Sequence, residues 1–385
     1  MLSNVAGIDV PELVRSWPVF DSTAISCLDP LSSEKIDEFI IADWMYDAIA
    51  EQVISLAAEE KRKENDEDTI EIKLPGTKTA MSCSRCKLIE PMSPSKIYDI
   101  CIAFFHARMW YDLVAESNVR TPNSCFVRIP PNVTAETNPD FMEELEKAVK
   151  SVGSRKVFAR MDHASPKKNT PCETAADVIR NLNSTERTAS EMRKVETSRT
   201  IMLREYVDDM SDHMEIRCFV HGSVARACSL DIYLPECPGG HHIISRNSSI
   251  SDEALKLTLL SALAVMRSAF CSFLKDLVAA TEYHDFVADV AFHRSEFGWL
   301  LGKYRQNSTA RSKKVIDNSD VKAVREKLWL IEINTPVYML ATAGHYCLDN
   351  KAHQKILLGS VTSVLTYPCM IASVDGSQEL IEMFS

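Results

Sequence analysis

Hydrophobic and polar positions follow two rhythms along this chain, and the rhythm changes near Gly153. Before it, apolar residues recur at helical spacing. Ile36, Phe39, Ile40, Trp44, Ile49, Val53 and Ile54 mark a helix over 35–61, followed by an exposed charged run at 61–68. Ile97, Ile100, Cys101, Phe104, Phe105 and Trp110 mark a mostly buried helix over 95–115. Phe141, Leu145 and Val149 line one face of an amphipathic helix over 138–152, opened by Asn138-Pro139. Short strands are expected at 70–74 and at 123–131, the second ending at Pro130-Pro131.

After Gly153 the pattern becomes one of short apolar strands that carry isolated charges, at 156–162, 200–206, 214–220, 286–292 and 327–334. A helix over about 252–279 separates the third from the fourth, with Ser251 as its N-cap and Asp252 and Glu253 in its first turn. Residues 294–326 hold Gly302, Asn307, Ser308, Thr309 and Ser312 beside the basic cluster Lys303, Arg305, Arg311, Lys313 and Lys314, and read as an inserted surface loop. No internal repeat is visible.

Side chains alternate between the two faces of a strand. Leu328, Leu330, Glu332 and Asn334 are thus expected on one face, with Trp329, Ile331 and Ile333 on the other. Glu332 and Asn334 point the same way, roughly 7 Å apart along the strand. Asp289 shares a face with Val287 and Ala291, and a carboxylate among apolar neighbours is costly to bury unless paired or metal-bound. Two carboxylates and an amide oxygen suit a magnesium ion that keeps waters and takes phosphate oxygens. On a solvent-facing strand side the same acids need no ion. Arg160 shares a face with Lys156, Phe158 and Asp162, and Arg217 with Glu215 and Phe219. A guanidinium on a rigid strand suits bidentate contact with phosphate; pairing with a neighbouring carboxylate is the competing reading for each arginine.

Composition narrows the classes. With 385 residues, 45% hydrophobic and 25% charged, the chain is an ordinary globular protein, one large two-lobed unit or two to three domains. A formal net charge of -11 argues against general nucleic-acid binding but not against ATP, which a few local cations and a metal hold. The first ten residues lack a secretory signal, and the most apolar stretch, 257–266, is too short to span a bilayer, so no membrane role and a cytoplasmic location are expected. The 12 cysteines are scattered and read as reduced thiols. A zinc site at Cys83 and Cys86, completed by Cys101 and Cys125, is the alternative, and His241-His242 after Gly239-Gly240 is a weaker metal candidate. Phosphate-binding loops of the Gly-x-x-x-x-Gly-Lys and Gly-x-Gly-x-x-Gly kinds are absent, as is a Gly-x-Ser-x-Gly elbow.

The order of the motifs resembles that of the cell division cycle protein 123 family. KVFARMDHASPK (156–167) is similar to the family's V-F-x-K-L-N-W-S-x-P-K, and ADVIRNLNSTER (176–187) to its following helix and turn. IMLREY (201–206) is similar to L-V-L-R-K-W, EIRCFV (215–220) to E-F-R-C-F-V, FVADV (286–290) to V-F-D-x-Y and LWLIEIN (328–334) to V-W-L-I-D-F-N. The likeness spans about 138–340. It implies an α+β ATP-grasp fold whose two lobes clamp ATP, behind an N-terminal mainly helical region. The expected division is 1–137, a smaller lobe at 138–205 and a larger lobe at 206–385 that contains the 294–326 loop. By the same resemblance Arg160 stands at a phosphate-binding lysine, and Arg204, Glu205 and Tyr206 fall on the hinge that meets adenine. Arg217 touches phosphate, and Asp289, Glu332 and Asn334 are Mg2+ ligands. The implied function is assembly of eukaryotic translation initiation factor 2 through its gamma subunit. The alternatives are an ATP-dependent carboxylate-amine ligase or phosphotransferase, and a scaffold that has lost its nucleotide. The sequence departs from the pattern where the family's Asn-Trp is Asp162-His163, at Lys168, at Leu230-Asp231, at Glu332 and at Asn334-Thr335-Pro336.

Overall fold

The computed structural model describes residues 49–52, 55, 69–74, 77, 80–84, 100–153, 155–166, 170–210, 213–230, 253–306, 317–336, 367–372 and 378–383. Most of the helix expected at 35–61, Cys86, Lys168, Asp231, the Gly239–His242 run and the Ser251 cap lie outside them. The architecture is α+β, in two compact units: residues 1–101 with 211–385, and residues 102–210. In the first, strands β1 (Thr69–Lys73) and β2 (Ala80–Ser84) form an antiparallel pair with Ile72 buried.

The 102–210 unit begins with a correction to the long helix expected at 95–115. A helical turn at 100–103 breaks, and helix α1 (Ala107–Ala115) starts afresh. The break has a physical cause. The first two backbone N–H groups of α1, on Ala107 and Arg108, donate to the Asp162 carbonyl at 3.2 Å and to its Oδ1 at 2.9 Å. Asp162, through its backbone carbonyl and its carboxylate, thus satisfies two of the donors that a helix start leaves orphaned. Strand β3 (Ser124–Ile129), helix α2 (Pro139–Ser151), strand β4 (Val157–Met161), helices α3 (Ala175–Leu182) and α4 (Glu186–Met192) and strand β5 (Arg199–Glu205) follow. The three strands lie in the order β3-β5-β4, with both pairings antiparallel. Asn138 caps α2 through Phe141 N at 2.8 Å, and Thr174 with Asp177 forms a capping box on α3.

Alternation gives this small sheet two unlike faces. Val127, Ile129, Val157, Ala159, Met161, Ile201 and Leu203 pack with Phe141, Leu145 and Val149 of α2 and Val178 and Leu182 of α3 into one apolar core. At roughly 1.5–3 kcal/mol per large side chain buried, this is the main support of the unit. The other face carries Phe126, Phe158, Arg160, Thr200, Met202 and Arg204.

The chain then returns to the first unit. Strands β6 (His213–His221) and β7 (Val224–Leu230) form a hairpin whose two-residue turn places Gly222 at φ 59 and Ser223 at φ 63. Such turns demand positive φ at both positions, which glycine meets at least cost. Gly222 N and Ser223 N are held by Asp285 Oδ1 at 2.7 Å and His284 O at 2.8 Å. Helix α5 (Glu253–Thr281) and strand β8 (Phe286–His293) come next, then helices α6 (Arg294–Gln306) and α7 (Asn318–Arg325) and strand β9 (Trp329–Asn334). Strands β10 (Tyr367–Ala372) and β11 (Gln378–Met383) pair antiparallel. The main sheet has the order β7-β6-β8-β9 with all neighbours antiparallel. Along α5, Ala262, Val265, Met266, Ala269, Phe270, Phe273, Leu274 and Leu277 are buried at helical spacing, and Phe270 meets Phe292 of β8 edge-on.

Two details of this unit differ from the sequence reading. Residues 294–306 and 318–325 are helical rather than loop. Gly298 and Gly302 each cost a helix about 1 kcal/mol. Burial of Leu300 and Tyr304 offsets this, as does a buried Asp320 that accepts from Tyr304 Oη at 2.9 Å and pairs with Lys303. The second difference is a bulge. Leu330 pairs with Val290 but Glu332 pairs with Asp289, so Ile331 is an extra residue. Leu330 therefore joins the buried face, together with Ile333, while Glu332 keeps the face shared with Asn334. Strict alternation placed Leu330 beside Glu332, and the bulge separates them.

Candidate functional site

The face of the main sheet opposite α5 carries a polar row. Arg217 of β6 is the register partner of Asp289 on β8, and Asp289 is the partner of Glu332 on β9. Asn334 pairs with Val287, one step along the same face. Three strands thus bring four of the predicted site side chains side by side, at the spacing of hydrogen-bonded strands, about 5 Å.

The contacts are tight. Arg217 Nε donates to Asp289 Oδ1 at 2.7 Å and Nη2 to Oδ2 at 2.8 Å, a bidentate pair. Asn334 Nδ2 donates to Asp289 Oδ2 at 3.0 Å and to Glu332 Oε1 at 3.2 Å. The Asp289 side chain is 0% exposed and that of Arg217 is 11% exposed. Burial of a lone carboxylate here would cost several kcal/mol, and the guanidinium and amide supply the compensation. Of the two readings open for Arg217, the structure displays the ion pair. For Asp289 it excludes the solvent-facing strand side.

The two carboxylates suit a hard cation. Two carboxylate oxygens, Asp289 Oδ2 and Glu332 Oε1, lie within 3.0 and 3.2 Å of one atom, Asn334 Nδ2, so they converge on a common point. Turned end for end, the Asn334 amide presents its oxygen to that point instead. Oxygen-only donors of this kind are what Mg2+ accepts.

The same face extends to His213 and His293, register partners whose rings meet edge-to-face at 4.8 Å. His293 Nδ1 accepts from Ser295 N at 3.1 Å and so caps α6. Cys101, Cys125 and Cys172 are free, and burial pushes Cys101 up to about 12 and Cys172 to about 11. Burial thus favours the protonated thiol at both. Cys83 and Cys86 fall where no side chain is described.

The 102–210 unit holds the other predicted residues. Arg160 is the register partner of Met202, and Arg204 is that of both Ser124 and Phe158, so both arginines lie on the face turned away from the apolar core. They are 7% and 5% exposed. Arg160 Nε donates to Met161 O at 3.2 Å, and Arg204 Nη2 lies 3.9 Å from Met202 Sδ. Glu205 N donates to Asn123 O at 2.7 Å and Tyr206 N to Lys156 O at 3.2 Å. These two backbone donors are therefore engaged within the unit, while the Glu205 and Tyr206 side chains are half-buried.

Sequence reasoning missed a group beside Arg160. Asp162 is buried, and Arg108 Nε faces its Oδ2 at 3.1 Å. His106 stacks on His163 with ring centroids 4.8 Å apart, and His163 faces Glu191 at 3.3 Å. Burial drives His106 down to about 3, helped by the positive charges of His163, Arg108 and Arg160. Burial also lowers His163 and raises Asp162. The signal was Asp162 itself, an acid where the related motif has an amide. Its partner Arg108 sits in the stretch from which the sequence alone gave no function.

No family model matches the chain, and no curated protein sequence does. Among solved structures it aligns with Cdc123 from Schizosaccharomyces pombe over 60% of this chain and 83% of that one, at 20% identity and a TM-score of 0.39. The chain is similar to Cdc123. It also aligns with the D-cycloserine synthetase DcsG over 69% of this chain and 72% of that one, at 11% identity and a TM-score of 0.34. A bifunctional glutathione synthetase from Pasteurella multocida aligns over 76% of this chain and 41% of that one, at 12% identity and a TM-score of 0.29. Among the described residues no helix is long and apolar enough to cross a membrane.

Proposed function

We propose that this chain binds ATP with magnesium in an ATP-grasp-type arrangement. In this reading it acts as an assembly chaperone for translation initiation factor 2, through that factor's gamma subunit. The observation that carries the nucleotide part is the row Arg217–Asp289–Glu332 with Asn334, in which acid and amide groups from two strands converge beside a guanidinium. Asp289, Glu332 and Asn334 would hold the ion, and the ion would neutralise phosphate charge. Arg217 and Arg160 would meet phosphate oxygens, and the Arg204–Tyr206 segment would meet the base. The chaperone part rests on the order of sequence motifs shared with the cell division cycle protein 123 family.

Calorimetric titration with a non-hydrolysable ATP analogue, with and without magnesium, tests the nucleotide part. Binding that depends on magnesium is expected, and heat in neither condition would refute it. Pull-down of the purified gamma subunit tests the chaperone part. Steady ATP turnover that depends on a small carboxylic acid, without gamma-subunit binding, would instead favour the ligase or phosphotransferase reading.

A further inference from the structure

Arg217, Asp289, Asn334 and Glu332 are joined by internal bonds that a cation would have to open. Both oxygens of Asp289 accept from Arg217, and Oδ2 accepts from Asn334 as well. Asn334 turns its amide nitrogen, a donor, towards both acids. A donor cannot ligate a cation, and a guanidinium held 2.7 and 2.8 Å from a carboxylate repels any second positive charge brought to the same oxygens.

We propose that Arg217 and the divalent cation are rivals for Asp289, and that nucleotide resolves the rivalry. This deepens the ATP/magnesium reading and rests on it. In the metal-free chain Arg217 locks Asp289 and Asn334 blocks the gap to Glu332. A cation arriving alone must break the bidentate pair and reverse the Asn334 amide. A cation arriving with phosphate gives Arg217 a replacement anion, so the arginine transfers from carboxylate to phosphate as Asp289 turns to the ion. Metal and nucleotide therefore bind cooperatively, beyond the direct bond between them, because each removes the other's obstacle. The alternative is that Arg217 stays on Asp289 throughout, as a structural pair.

The test compares Arg217→Lys with the native chain. Lysine keeps the charge but lacks the planar fork, so long-range repulsion of a cation is unchanged while the bidentate lock is lost. Mn2+ binding without nucleotide is read by electron paramagnetic resonance, and binding of the non-hydrolysable ATP analogue with magnesium by calorimetry. Mn2+ affinity is expected to rise on the order of tenfold in Arg217→Lys, the worth of one strong charge-assisted bond, while analogue affinity falls. Mn2+ affinity unchanged or lowered overturns the rivalry. A second measurement needs no variant: hydrogen exchange at the Arg217 guanidinium, followed by nitrogen-15 NMR of the native chain. The Nε–H is expected to be protected alone and to change shift and protection when magnesium and analogue are added together. An unchanged signal with analogue bound leaves the nucleotide reading standing and refutes the exchange of partners. No analogue binding at all refutes both.

Discussion

Removal of Asp289 or Arg217 separately should cost far more than removal of both. In Asp289→Leu the guanidinium of Arg217, 11% exposed, loses its two bonds to the Asp289 carboxylate. In Arg217→Met the carboxylate of Asp289, 0% exposed, loses the guanidinium and keeps the Asn334 amide. Breaking a buried ion pair from one side costs about 3–5 kcal/mol, because the survivor stays buried and charged. The long arginine can tilt its head to water, which places Asp289→Leu near 3 kcal/mol. The carboxylate has no such freedom, which places Arg217→Met near 5 kcal/mol. The double variant replaces the pair by apolar groups of similar volume, and should lie within about 1 kcal/mol of the native chain. A coupling energy of several kcal/mol follows. Urea unfolding read by Trp329, half-buried on β9 of the same unit, gives all four stabilities. Additive single costs, or Asp289→Leu costing more than Arg217→Met, would show that the pair is not the closed, buried contact described above.

Glu332→Ala should weaken the non-hydrolysable ATP analogue at least tenfold with magnesium and barely without it; equal losses in titrations under both conditions would remove Glu332 from the ion. His106→Gln should flatten the acid limb of stability in the 102–210 unit. The folded pKa of His106 is depressed to about 3, so the unfolded chain takes up a proton as pH falls below about 6.5 while the folded chain does not, and stability drops. Between pH 7.5 and 5.5 the native chain should lose about 1.4 kcal/mol more than the variant, with Trp110 fluorescence as the probe; matching pH profiles would contradict the burial assigned to that ring.

The strands were legible because each carries its own evidence. β4, β5, β6, β8 and β9 read as apolar runs with one to three charges, and their period fixes which charges share a face. The meeting of Arg217 with Asp289 was not legible, since two strands far apart in sequence become neighbours only through the sheet order β7-β6-β8-β9. β7 escaped notice because Val-Ala-Arg-Ala-Cys-Ser-Leu has little β propensity; it is a strand because the Gly222–Ser223 turn lays it against β6. Helices α6 and α7 were hidden by glycines and a polar composition, and they depend on tertiary contacts such as Tyr304 with Asp320. The start of α1 at Asp162 depends on a side chain 54 residues away, beyond any local pattern.

The extra residue in β9 also bears on how this site tolerates change. Ile331 shifts the parity of the strand between Leu330 and Glu332. Loss of Ile331 would restore one-to-one pairing, with Leu330 still opposite Val290 and Glu332 still opposite Asp289, so both side chains would keep their faces. Loss of Ile333 would instead bring Asn334 opposite Ala288, on the face that α5 covers, and part the amide from the two acids. The strand should therefore tolerate shortening at its extra residue and not one position beyond Glu332.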